Sequence, residues 1–163
     1  MGISSLQPSP PLMECMFNKA LLMFFRFSWI VILLVLPACA SSIKVTLISS
    51  DHLNPDKNGK PLSVVVRVYQ LNNTDRFEKA EFLSLVRADQ RVLDRALLSR
   101  REIILLPDSI EVIKEDLKEG ANYVGVMALF REGDQVWRKS VVLNDLWIKS
   151  IKVTLDQRTL IVK

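Results

Sequence analysis

The chain has 163 residues, a formal net charge of +4, one histidine and two cysteines. Its basic residues are scattered, with adjacent basic pairs only at Arg100-Arg101 and Arg138-Lys139, so the charge does not indicate nucleic-acid binding. No cysteine follows Cys39, so the chain beyond it offers no disulfide, thiolate metal site or thiol nucleophile and must rely on an apolar core.

The N-terminal segment has the layout of a secretory signal. Two basic residues, Lys19 and Arg26, precede an apolar run at 27–36, and small residues follow. The run ends in Leu36-Pro37-Ala38-Cys39, which resembles the lipobox of bacterial lipoproteins, where the signal is cut before a cysteine that is then acylated. We therefore expect a signal peptide at 1–38, a covalent lipid on Cys39 and a short tether at 39–42.

Two other interpretations of this segment stay open. Residues 20–40 contain one charged side chain and are long enough to cross a bilayer core of about 30 Å as an uncleaved helix. Alternatively, the signal is cleaved and the cysteine is incidental. All three interpretations place the folded part outside the cytoplasm. Residues 1–15 are rich in Pro and Ser and carry no positive side chain, so we expect the true start at Met13 or Met16.

The next elements read as two strands with a long connection. Residues 43–47 alternate apolar and polar, which predicts a half-buried strand. Residues 62–71 carry valines on both faces, which predicts a central strand covered on both sides. The segment 51–61 between them contains two prolines, a glycine and two asparagines, and therefore predicts an irregular loop.

One helical region follows. Residues 72–75 supply N-cap side chains, and 75–78 resembles a capping box. The predicted apolar face consists of Phe77, Ala80, Leu83 and Val86. A second short helical turn is expected around 92–97.

The remainder of the chain is strand-like, and Gly125 within it suggests a bulge or close packing. The predicted strands lie at 102–106, 109–113, 123–130, 136–143, 147–155 and 159–162. Seven or so short strands at this spacing predict a mainly β fold at 43–163, a two-sheet antiparallel β-sandwich with a short helical insertion.

Motifs for catalysis are missing from the sequence. There is no nucleophile elbow, zinc-protease motif or glycine-rich phosphate loop. The single histidine, His52, sits beside Asp51 in the first loop, which is the usual setting of an ordinary loop residue. The sequence therefore gives no support to an enzyme or to a cofactor.

The first loop is the strongest candidate for function. It is longer than a hairpin needs, and long ordered loops are often functional. Its candidate partner-binding residues are Asp51, His52, Leu53, Asn54, Pro55, Asp56, Lys57, Asn58, Gly59 and Lys60. Because surface loops carry little core energy, we expect replacement of 53–60 to leave thermal unfolding nearly unchanged.

This loop and the strand after it carry a family resemblance. The run LNPDKNGKP at 53–61, followed by VVVRVYQL at 64–71, resembles the TssJ family, the outer-membrane lipoproteins of type VI secretion systems. The helix residues, the strand at 123–131 and the pair Trp137-Arg138 follow in the family's order. The chain departs from the family at Pro107-Asp108, where Pro-Gly is expected.

The resemblance implies a scaffold rather than an enzyme. It implies a transthyretin-like β-sandwich, lipid-anchored on the periplasmic face of the outer membrane, that holds the periplasmic domain of TssM through the loop Asp51 to Lys60. It implies no cofactor beyond the lipid on Cys39, no nucleic acid and no small-molecule substrate. The alternatives are a periplasmic ligand-binding lipoprotein with a β-sandwich fold, which needs a concave apolar pocket, and a hydrolase that uses His52 with an acid.

Overall fold

Eight strands and two short α-helices form the part of the chain that the computed structural model describes, residues 41–132, 136–143 and 150–163. The strands are β1 (Ser42–Ser49), β2 (Val64–Leu71), β3 (Leu97–Leu105), β4 (Ile110–Asp116), β5 (Tyr123–Leu129), β6 (Arg138–Val142), β7 (Ser150–Asp156) and β8 (Thr159–Val162). The helices α1 (Asp75–Lys79) and α2 (Phe82–Leu93) follow β2, and a 3-10 turn at Asp94–Ala96 leads into β3.

The strands are divided between two four-stranded sheets. Sheet A has the order β4-β1-β7-β8 and sheet B the order β3-β2-β5-β6. Every pairing is antiparallel except that of β1 with β7, which is parallel. The predicted fold class, a mainly β two-sheet sandwich with a helical insertion, is confirmed, and the parallel pair is the one departure from a purely antiparallel arrangement.

Alternating apolar residues build the core between the sheets. In β1 the buried residues are Ile43, Val45 and Leu47, and in β7 every second residue is buried in the same way. The facing side of β2 contributes its even-numbered valines to this cluster. The opposite side of β2 contributes Tyr69 and Leu71 to a second cluster beneath the helices. The prediction that β2 is covered on both faces is therefore confirmed.

The helical region differs in detail from the prediction. It is broken at Ala80, which has an extended backbone, so two helices form instead of one. The buried face of α2 is Leu85, Asp89 and Leu93, spaced four apart, whereas Leu83 is 56% exposed. The predicted capping box is also wrong, because the N-cap of α1 is Thr74 and makes no side-chain capping bond.

Two local predictions can be checked at single residues. Gly125 lies in an unbroken register with β2 and β6, so it marks no bulge. A Cβ atom added there would lie 3.1 Å from Leu71 Cδ1 and from two ring atoms of Phe77, so close packing is the correct explanation. Asp108, where the resemblance predicts a glycine, has φ of 50°, so the turn keeps the left-handed backbone that a glycine would adopt easily.

Several sequence predictions lie outside the described residues. These are the signal at 1–38, the lipid site Cys39, the tip of the turn at 133–135 and the beginning of the last alternating run, including Trp147. In the ranges that are described, no helix has the length and apolarity needed to cross a membrane.

Candidate functional site

The predicted partner-binding loop lies at one end of the sandwich. β1 begins at Ser42, near the proposed tether, and ends at Ser49, directly before the loop. Its eight residues rise about 3.3 Å each, so the two ends of the strand lie roughly 25 Å apart. The loop is therefore presented at the end of the domain opposite to the one at which the chain enters.

The base of the loop is built into the protein. Leu53 is fully buried in the core between the sheets. Asn54, which is also buried, donates from Nδ2 to the carbonyl oxygen of Ser63 at 2.9 Å and accepts at Oδ1 from the backbone N–H of Arg131 at 2.9 Å. Its own N–H donates to the carbonyl oxygen of Gln157 at 2.6 Å. Asn54 thus links the loop to the end of β5 and to the β7–β8 turn.

The tip of the loop is a preformed turn around Asp56. The Asp56 carboxylate accepts backbone N–H groups from Asn58 at 2.8 Å and from Lys60 at 2.9 Å. The backbone N–H of Asp56 donates in turn to the carbonyl oxygen of Lys60 at 2.9 Å, and Gly59 supplies φ of 80°. The N–H donors of Lys60 and Asn58 lower the pKa of Asp56 because they stabilise its charged form. The turn is therefore ordered by its own hydrogen bonds.

The ten predicted site residues fall into three groups by exposure. The exposed ones are Asp51, His52, Lys57, Asn58, Gly59 and Lys60. Pro55 and Asp56 are partly buried, and Leu53 and Asn54 are buried. This corrects the expectation that 53–60 can be exchanged without loss of stability, because that segment contributes a core leucine and a buried hydrogen-bonding hub. Only the tip, 57–60, is free of such a role.

His52 gives no sign of catalytic chemistry. Its Nε2 lies 3.7 Å from Asp51 Oδ2, and both side chains are largely exposed. Across the ranges the structure describes, no group of three or more His, Cys, Asp or Glu side chains is placed to hold a metal ion. This distance and exposure are typical of two neighbouring side chains in an ordinary surface loop.

The turn between β3 and β4 is bonded to the loop and is flanked by two exposed apolar residues. Asp108, in the β3–β4 turn, donates its N–H to the carbonyl oxygen of Ser50 at 3.0 Å, which joins this turn to the loop. Leu106 and Ile110, which flank the turn, are 59% and 66% exposed. Single exposed apolar side chains are common on protein surfaces, so these two residues do not by themselves mark a binding site. The proline at position 107 was the only sequence signal that the chain leaves the strand at Leu106.

A charged network fastens α2 to sheet B. Asp89 accepts from Tyr69 Oη at 3.0 Å, from Arg100 Nη1 at 3.0 Å and from Arg67 Nη1 at 3.3 Å. Arg67 also bonds Glu102 Oε2 through Nε at 2.7 Å. Burial, together with the negative charge of Asp89, raises the pKa of Tyr69. The sequence signal for this network was a single arginine within the valine-rich run of β2.

Trp137 and Arg138 hold α1 in place. The Arg138 guanidinium lies 4.3 Å from the centre of the Trp137 ring, and that ring packs edge-on against Phe82. Arg138 donates to the carbonyl oxygens of Phe77, Glu78 and Ala80, at the C-terminus of α1, where a cation is favourable. Desolvation lowers the pKa of Arg138, and Glu78 partly opposes this shift. The pair is structural and positions the helices.

The grooves along the open edge between β3 and β4 do not suit an apolar ligand. They are lined mainly by charged side chains: Arg100, Arg101, Glu111, Lys114, Glu115, Asp116 and Lys118. Small-molecule sites are usually concave and largely apolar. These grooves therefore do not support the ligand-binding alternative.

The described residues thus form a two-sheet sandwich with an ordered loop at one end and no metal-binding cluster. The model of the type VI secretion lipoprotein family, which includes VasD, EvfM and TssJ, matches residues 41–158. The chain belongs to this family. Its members are structural components of the secretion system and not enzymes.

Solved structures share the fold. The T6SS lipoprotein TssJ1 from Pseudomonas aeruginosa has a TM-score of 0.72 and 22% identity, covering 76% of this chain and 95% of its own. A chain of the structure titled "Type VI membrane complex" has a TM-score of 0.70 and 26% identity, covering 76% and 98%. A chain of the structure titled as the T6SS protein TssM C-terminal domain from EAEC has a TM-score of 0.65 and 24% identity, covering 75% and 97%. No curated protein sequence matches the chain.

Proposed function

We propose that this protein is a lipid-anchored component of the type VI secretion membrane complex. It sits on the periplasmic face of the outer membrane through a lipid on Cys39 and binds the periplasmic domain of TssM. The observation that carries the proposal is the preformed loop at the end of β1 opposite Ser42. Family membership supports it, as do chains of the same fold in structures titled for the membrane complex and for TssM.

The structure suggests how the loop binds without a large entropic loss. A flexible loop loses conformational entropy when a partner orders it, whereas a preformed loop has already lost most of that entropy during folding. Here Asn54 fixes the base and Asp56 orders the tip. The two exposed lysines of the tip, Lys57 and Lys60, are then presented in fixed relative positions.

The test is calorimetry between residues 41–163 and the periplasmic domain of TssM. Lys57→Glu combined with Lys60→Glu keeps the backbone N–H of Lys60 and leaves Asp56 unchanged, so the turn is retained. We expect the affinity for TssM to fall by about tenfold or more, because reversing charges at the rim of an interface mainly slows association. Lys79→Glu, at an exposed position of α1, is the matched control. Equal affinity for all three proteins would place the partner elsewhere.

Membrane placement is tested separately. The residues after Cys39 are Ala40 and Ser41, and neither is the Asp that resembles an inner-membrane retention signal. We therefore expect the protein to fractionate with outer-membrane porins on a sucrose gradient. Recovery with inner-membrane markers would contradict this part of the proposal.

A further inference from the structure

Sheet A has an outer face that no other element of the described chain covers, and one half of that face is basic. In β1 the buried residues are Ile43, Val45, Leu47 and Ser49, so Lys44 and Thr46 point outward. The same alternation in the other three strands turns three more lysines to this side. We call the group Lys44, Lys114, Lys152 and Lys163 the lysine face; all four side chains are exposed.

The strand register brings these lysines together. Lys44 is directly opposite Lys114 in the β1–β4 ladder. Lys152 is opposite Thr46, the next outward position of β1. Lys163 exchanges backbone hydrogen bonds with Lys152 at 3.1 and 2.9 Å. Opposed and diagonal neighbours on one sheet face lie within about 8 Å of each other, so the four ammonium groups form one patch.

This patch is not neutralised by the part of the protein that the structure describes. None of the four lysines lies within ion-pair distance of a described carboxylate. The outward carboxylate in this half of the sheet is Asp116, which is opposite Ser42 and diagonal to Lys44, so four outward lysines stand against one outward carboxylate. Like charges directly opposite each other destabilise a sheet. The protein therefore maintains an unfavourable arrangement that an external anion would relieve.

The position of the patch identifies the anion. The lysine face occupies the Ser42 half of sheet A, and the proposed lipid site Cys39 is only three residues before Ser42. Three residues span at most about 11 Å, so an acyl chain on Cys39 holds this half of the sheet at the lipid headgroups. The patch is spread across the four strands of one sheet face and built from lysines, without an arginine fork or converging N–H groups aimed at one phosphate. That shape suits a planar array of headgroups better than one bound ion.

We propose that the lysine face binds the anionic headgroups of the membrane that holds the lipid anchor, and so orients the sandwich on that membrane. The inference rests on the proposed lipidation of Cys39. A basic patch beside an acyl chain strengthens membrane binding and fixes orientation, because the two contacts together remove rotational freedom. With the Ser42 end held at the headgroups, the loop at the other end of β1 is turned toward the partner.

The test is lysine footprinting on the acylated protein in vesicles. The purified lipoprotein is reconstituted into phosphatidylcholine vesicles with and without a minority fraction of the anionic lipid phosphatidylglycerol, which gives the surface a negative potential. Lysines are acetylated with a water-soluble reagent and quantified by mass spectrometry. We expect labelling of the four face lysines to slow about fivefold in the anionic vesicles only, the factor expected for one lysine near such a surface. Lys57, Lys60 and Lys79 serve as internal controls and should not change.

Matched variants sharpen the result. Lys44→Gln with Lys114→Gln should restore labelling of Lys152 and Lys163, whereas Lys57→Gln with Lys60→Gln should leave their protection intact. Protection should also disappear at high salt, because the contact is between exposed charges. Equal labelling in both vesicle types, protection by inorganic phosphate without vesicles, or protection that appears only with the TssM domain would each overturn the inference.

The two proposals fail in different ways. An intact mass that lacks acyl chains overturns the lipidation of Cys39. An acylated protein whose four lysines react equally in both kinds of vesicle overturns the lysine contact and leaves the anchor unaffected.

Discussion

Asp89 offers the sharpest test of how the helices are held, because its ion pairs can be compared with an exposed pair of the same length. The Asp89 side chain is 5% exposed and contacts Arg67 at 3.3 Å and Arg100 at 3.0 Å. Arg76 contacts Asp94 at 3.2 Å, but both of those side chains are about half exposed. Distance alone predicts that the two sets of ion pairs contribute equally to the free energy of unfolding, whereas burial predicts that the Asp89 pairs contribute much more.

The magnitude for Asp89→Ala follows from what its partners lose. Breaking a buried pair usually costs 3–5 kcal/mol because the remaining charge is left uncompensated. Here Arg67 keeps Glu102 and the carbonyl oxygens of Leu85 and Val86. Arg100 is about one-third exposed and can be rehydrated. Tyr69 loses its only carboxylate acceptor while fully buried. We therefore expect a loss of about 2–4 kcal/mol.

The assays are urea unfolding and thermal unfolding of residues 41–163, each followed by circular dichroism. For a domain of this size, a loss of about 3 kcal/mol lowers Tm by roughly 10 °C. Arg76→Ala, which removes the exposed pair, should cost less than about 1 kcal/mol. If the two variants lose the same stability, burial does not decide the strength of these pairs and the reasoning is wrong.

Three further predictions concern the anchor, the buried tyrosine and the close-packed glycine. Cys39→Ser should abolish incorporation of labelled palmitate, since the proposed lipid site is removed; continued labelling would contradict it. The raised pKa of Tyr69 means that the folded state keeps a proton the unfolded state loses, so stability present below pH ~10 should fall as pH rises above it, by up to about 1.4 kcal/mol per pH unit. Tyr69→Phe should lack that alkaline component in urea titrations at pH 9 to 11, and an identical pH profile in both proteins would refute it. Gly125→Ala should cost about 1–3 kcal/mol in thermal unfolding, because its methyl group meets Leu71 and the Phe77 ring at 3.1 Å; an unchanged Tm would show that the neighbours can move aside.

The local patterns predicted the strands well because burial on one or both faces leaves a direct trace in the sequence. The alternation in β1 and the valine run in β2 both report which sides are covered. The partner of β1 could not be found in this way. β7 lies about a hundred residues away, and nothing in either alternating pattern distinguishes a parallel from an antiparallel neighbour.

The helix face was misjudged for a related reason. Spacing by three from Phe77 predicted Leu83 on the apolar side, but the extended backbone at Ala80 breaks the helix and resets the phase. The buried positions then fall at Leu85, Asp89 and Leu93, and an aspartate in such a row reads as polar surface in the sequence. The arginines of sheet B and the Tyr69 hydroxyl, brought into contact by the fold, make its burial acceptable.

The candidate loop shows most clearly how far the sequence argument reaches. Its length, prolines and polar residues marked it as a presented surface, yet two of its ten residues belong to the interior. Leu53 fills the core between the sheets, and Asn54 takes the backbone conformation at φ 46° that lets it reach three separate segments. Because the base is shared with the core, the tip is held rigidly without needing interactions of its own beyond Asp56. The side chains of Lys57, Asn58 and Lys60 are therefore free to vary, whereas Gly59 holds the left-handed backbone of the turn and the base is shared with the core.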